Sequence, residues 1–187
     1  MKRNFLFGFG FAALAVTTPL AFTTPVFANL QEVGEAIVQK LRQPEVKLVM
    51  SAEKQVSVVD EDGQSRLTWE ALEGEAVVQP GDTLKYVVAS ENAGEMPAEN
   101  LVVMQKIEPR MTYVLDSAEG NEIAEITYSI DGGETFVAEP MVEVTLEDGT
   151  VEMQPAPAEA YTDVKWDFSS ALGAEEAVSV SHQVTIK

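Results

Sequence analysis

"GDTLKYVVASENAGEMPAENLVV", residues 81–103, decides how the rest of the chain is read. Leu84, Tyr86 and Val88 recur at every second position, the spacing that puts side chains on one face of a strand. The apolar run Leu101–Val103 begins a second strand, and the Asn, Gly, Glu and Pro between them form a polar connection. The pattern recurs along the chain. "VKLVMSA" and "KQVSVVD" predict two strands, and Asp62-Gly63 supplies the positive φ of a tight hairpin before "RLTWEAL". Pro80-Gly81 is a further turn, and "ENLVVMQKIEP" and "MTYVLDS" are short strands. Asp131-Gly132-Gly133 and Glu147-Asp148-Gly149 are hairpin turns, and "QPAPAEA" reads as an extended linker. "YTDVKWDF" and "AVSVSHQVTIK" close the chain, the last with Val178, Val180, Val184 and Ile186 on one face. Turns at such regular spacing, with no helical period between them, predict an all-β antiparallel sandwich.

The first 28 residues read as a signal peptide. "MKRN" is a basic start, "FLFGFGFAALAV" is apolar but short for a bilayer span, and small residues precede Asn29. Residues 29–44 read as a short amphipathic helix with Leu30, Val33, Ile37 and Leu41 on one face. Asn29 and Glu32 form a capping box, and Pro44 ends the helix. Residues 45–187 form the β domain. The chain is therefore expected to be exported, to the periplasm, cell surface or medium, with no stable membrane insertion after cleavage.

Twelve Lys and Arg face 31 Asp and Glu, a formal charge of −19. Binding to nucleic acid requires basic groups that displace counterions from phosphates, so this composition argues against it, and against docking on anionic lipid. There is no cysteine, so neither disulfide nor thiol chemistry is available, and stability must come from a full-sized core.

The chain's single histidine, His182, falls with Val180 and Val184 on the apolar face of the last strand, where a buried structural role fits better than catalysis. No nucleophile elbow, zinc spacing or phosphate loop is present. Clustered oxygens at strand ends make calcium the metal that this chain would take. The candidate ligands are Asp60 and Asp62, Asp131 and Glu134, and Glu147 and Asp148; none of these loops has the twelve-residue helix-flanked pattern. Tyr86, Tyr113, Tyr128 and Trp166 lie in phase with apolar faces, which predicts core positions rather than a sugar platform, and Trp69 beside Leu67 is expected inside as well.

"PGDTLKYVVASENAG" with "PAENLVVMQKIEPRMTYV" resembles the bacterial domain of unknown function family 11, an immunoglobulin-like "conserved repeat" domain of exported and surface proteins. The matching positions are Gly81, Tyr86, Asn92, Gly94, the Leu101–Val103 run and Tyr113. "ITYSIDGGETF" is similar to the family's Tyr-Ser-x-Asp-Gly-Gly segment, and "VKWDFSSALGAEEAVSVSHQVTI" to its closing strands. The crossing turn departs from the family pattern, with Gln105, Lys106, Ile107, Glu108, Pro109 and Arg110 where Asp-Pro-Leu-Pro-x-Gly is usual. The resemblance implies an immunoglobulin-like sandwich and an extracytoplasmic place, and brings no catalytic residues. The expected role is a non-enzymatic structural or interaction module of the bacterial envelope, with an envelope or extracellular protein as partner. A calcium-stabilised binding module, with glycan among its ligand classes, is the alternative, and a hydrolase using a carboxylate pair is a remote third.

Overall fold

The structure, a computed structural model, describes Phe5–Leu6 and residues 43–60, 62–74, 77–121 and 124–187. Almost all of the expected signal peptide and of the helix over residues 29–44 lies outside the described residues. The strands in chain order are β1 (Phe5–Leu6), β2 (Val46–Val59), β3 (Ser65–Ala71), β4 (Val77–Val78), β5 (Thr83–Asn92) and β6 (Val102–Lys106). They continue with β7 (Met111–Tyr113), β8 (Ala124–Ser129), β9 (Met141–Thr145), β10 (Val151–Pro155), β11 (Asp163–Phe168) and β12 (Ala177–Ile186). Among the described residues the sole helical segment is one 3-10 turn, Ala158–Ala160, and no helix is long and apolar enough to cross a membrane.

All strand pairings are antiparallel. One sheet has five strands in the order β3-β2-β5-β12-β7, and a second has three in the order β6-β11-β8. Among the described residues β9 pairs only with β10, and β1 makes a two-residue pairing with β4. Both larger sheets feed one apolar cluster. Leu84 and Val88 from β5, Val180 and Val184 from β12 and Tyr113 from β7 join Val103 from β6 and Val164, Trp166 and Phe168 from β11. Trp166 is fully buried, and its indole N–H donates to the carbonyl of Glu119 at 3.0 Å, so the largest core side chain leaves no orphaned donor.

The residues of the quoted stretch explain how the end of β5 is fixed. Asn92 is fully buried and its amide ties three segments together. Oδ1 accepts from the N–H groups of Glu45 and Gly94, both at 3.1 Å, while Nδ2 donates to the carbonyls of Met96 at 2.7 Å and Leu172 at 3.0 Å. Its backbone N–H donates to Glu176 O and its carbonyl accepts from Glu175. Gly94 is required by proximity: a Cβ there would meet Gln43 O and Glu45 N at 2.5 Å. The Asn-x-Gly turn therefore clamps the lead-in to β2 against the loop that precedes β12.

Three local readings are corrected. The residues expected to form two strands, "VKLVMSA" and "KQVSVVD", are one fourteen-residue strand, β2. No Gly, Pro or Asn interrupts "SAEKQ", and β2 exchanges partners instead of turning. Val46–Lys54 pairs with β5, and Glu53–Val59 pairs with β3. Beyond Lys54 the β2–β3 hairpin therefore continues as a two-stranded ribbon. This is why Leu67, expected inside, is 68% exposed and Trp69 is only half-buried, its ring 5.0 Å from Lys85 Nζ. "QPAPAEA" is no plain linker, since Gln154 and Pro155 complete β10 and Ala158–Ala160 forms the 3-10 turn. Pro155 is tolerated because, among the described residues, β10 has a strand partner on one side only.

Candidate interaction surface

The acidic turns are built first by conformation. Gly63, Gly132, Gly133 and Gly149 have positive φ, which lets each chain reversal close. In every turn the aspartate then accepts local donors. Asp60 Oδ1 accepts from the backbone N–H groups of Asp62 and Gln64 at 3.1 and 2.8 Å. Asp131 Oδ1 accepts from Ser129 Oγ at 2.6 Å and from the N–H groups of Glu134 and Thr135 at 3.0 and 2.9 Å, and Oδ2 accepts from Thr135 Oγ1 at 2.5 Å. Asp148 Oδ1 accepts from Thr150 N at 3.0 Å and Oγ1 at 2.6 Å. The Ser129 hydroxyl, then the hydroxyl and backbone N–H of Thr135, hold the Asp131 carboxyl well below the ordinary carboxylate range; Thr150 lowers Asp148 in the same sense.

The six calcium candidates thus lie in three separate turns. Among the described residues no three His, Asp or Glu side chains gather as a metal-holding group. Glu134 and Glu147 are exposed beside their turns. A carboxylate that sequence reasoning passed over, Asp163, lies against the Asp131 turn. Its Oδ2 is buried without a hydrogen-bond partner, 3.6 Å from where a Cβ on Gly133 would stand. Nothing in "YTDVKWDF" marks it, because the turn it faces lies thirty residues earlier in the chain.

His182 is buried as its alternation predicts, between Tyr86 at a ring-centroid distance of 5.7 Å and Trp166 at 5.9 Å. Burial pushes its pKa down from 6.5 to about 4, so the imidazole is neutral at physiological pH. Tyr113, Tyr128 and Tyr161 pack ring to ring with centroids 5.0–5.6 Å apart. Loss of solvent chiefly raises the Tyr128 and Tyr161 hydroxyl pKa values. Tyr113 is fully buried and its hydroxyl accepts from Ala118 N–H at 3.2 Å, so this trio is core structure at its centre.

Among the described residues, exposed large apolar side chains occur singly at Val49, Val77, Met96, Leu115 and Val137 and in groups of three on the two hairpins. On the β2–β3 ribbon these are Val58, Val59 and Leu67. On β9–β10 the register places Met141 opposite Pro155, Glu143 opposite Met153 and Thr145 opposite Val151. Directly paired residues share a face, so Met141, Val151 and Met153 lie on one side, 40%, 60% and 56% exposed. The other side carries half-buried Val142, Val144 and Gln154. Sequence reasoning located this hairpin but assigned importance to its acidic turn. The alternation Met141, Glu143, Thr145 and Val151, Met153, Pro155 was the available signal. Neither a scan of family models nor searches of curated proteins and solved structures finds a match to this chain.

Proposed function

We propose that this chain is an exported, non-enzymatic interaction module of the bacterial envelope, folded as an immunoglobulin-like sandwich of the conserved-repeat kind it resembles. The observation that carries the reading is the grouping of exposed apolar side chains on two hairpins, the β2–β3 ribbon and β9–β10. Large apolar groups left in water in a contiguous group mark contact surfaces. Two sheets feeding one core support the sandwich, and the Asn92 clamp at the Asn-x-Gly turn and buried Trp166 occupy positions that carry the resemblance. The aspartates of the acidic turns and the sole histidine are each engaged in holding the fold, which supports a binding role over turnover. The test is the mass of the native protein in mild extracts of the producing cell. A species larger than the monomer is expected, and Leu67→Ser combined with Val151→Ser should return it to monomer mass. Monomer throughout, from an intact and correctly exported chain, would overturn the proposal.

A further inference from the structure

We infer that the Met141–Val151–Met153 face of the β9–β10 hairpin is the docking surface, and that its occupant is a protein segment carrying lysine or arginine among apolar side chains. The inference rests on the interaction-module reading and specifies the surface and the chemistry of its partner.

Two properties of the hairpin select the occupant. The first is apolar. Among the described residues β9 and β10 have no strand partner but each other, and Val151 and Met153 keep more than half their surface in water. Methionine adapts its shape to varied apolar contacts, which suits a face that receives another chain. The second is charge. Between Arg110 and Lys165 the sequence holds no lysine, arginine or histidine. Around the apolar face stand exposed Glu139, Glu143, Glu147 and Asp148, with Glu143 directly opposite Met153. No local cation neutralises them within the hairpin, so a basic segment gains attraction at the rim while its apolar residues cover the centre. The same charges repel an anionic bilayer and a second copy of this chain, whose formal charge is −19. The β2–β3 ribbon differs, because Arg66 stands on it and Lys85 covers Trp69.

The test is a titration of the full chain with a fluorescent peptide of alternating lysine and leucine, followed by anisotropy. Companion peptides alternate lysine with serine and glutamate with leucine. The lysine–leucine peptide should bind and weaken as salt is raised. Val151→Ser with Met153→Ser should weaken it about tenfold or more, since the centre of a contact carries most of its energy. Leu67→Ser on the other hairpin should leave it unchanged, and thermal melts should show every variant folded, because all three side chains are exposed. The glutamate–leucine peptide should not bind, and the lysine–serine peptide should bind more weakly. Undiminished binding by the hairpin variant would overturn the inference while leaving the interaction-module reading in place. Equal binding of the lysine–serine peptide, or no binding of the lysine–leucine peptide, would overturn it too. The native mass measurement tests the wider reading separately.

Discussion

Replacing Asn92 by alanine should be among the most damaging single changes in this chain, although it removes only an amide. The side chain makes four hydrogen bonds, to Glu45 N, Gly94 N, Met96 O and Leu172 O. A bond of this kind contributes about 1 kcal/mol net, and more when its abandoned partner cannot reach water. Glu45 and Met96 are exposed and Gly94 is half-exposed, so their backbone groups rehydrate. Leu172 is buried and its carbonyl does not. The expected loss is therefore about 3–4 kcal/mol, and over 10 °C in Tm for a domain of this size. Asn92→Asp sharpens the test because shape and both acceptor bonds are kept. Both donor bonds to carbonyl oxygens are lost, and a carboxylate is placed where no solvent reaches. Burial would raise its folded pKa above its unfolded value, so the folded state would bind the extra proton and stability should fall as pH rises from about 5 to 8. Urea unfolding followed by the fluorescence of buried Trp166 measures both. A loss below about 1 kcal/mol for the alanine variant, or an aspartate variant equally stable at both pH values, would refute the clamp.

Other consequences follow from the same geometry. His182 has a folded pKa of about 4 against 6.5 unfolded, so the unfolded chain binds the extra proton between these values. Stability from the neutral imidazole is full above pH 6.5 and is lost toward pH 4, about 3 kcal/mol in all. The wild-type advantage over His182→Leu should accordingly rise with pH through that window, and a flat difference would contradict the burial argument. Gly94→Ala should cost about 1–3 kcal/mol by forcing backbone at residues 43–45 aside, and an unchanged urea midpoint would show that no close approach exists. Asp131→Asn should lower Tm near neutral pH, with the gap closing as pH falls below the usual carboxylate value of 3.8, because a lowered folded pKa makes the stabilisation an anion's property. Calcium and magnesium should raise Tm equally, by screening alone, since the turn aspartates already accept local donors; a saturable rise with calcium only would restore the calcium-stabilised alternative.

The turns and the core strands were legible because their causes are local. Gly63, Gly81, Gly132, Gly133 and Gly149 all take the positive φ that their turn positions imply. The alternation through Val180, His182, Val184 and Ile186 predicts a buried face because a strand has period two. Leu67 and Trp69 show where this fails: alternation fixes which residues share a face, but not whether another layer covers it. The acidic turns are ambiguous for a different reason. A calcium loop and an Asx turn both place carboxylates beside glycine, and the distinguishing residues are Thr135 and Thr150, whose hydroxyls donate back to Asp131 and Asp148. Asn92 was legible as a turn residue, but its bond to Leu172 spans eighty positions and depends on the folded sheet.

The most direct test of the interaction account is site-specific photo-crosslinking in the producing cell. A photoreactive residue is placed at Val151, at Leu67, or at exposed Glu125 on β8. The account predicts a discrete adduct from Val151, with the joined partner peptide carrying lysine or arginine beside apolar residues, and none from Glu125. No adduct from either hairpin, or the same adducts from all three positions, would contradict it.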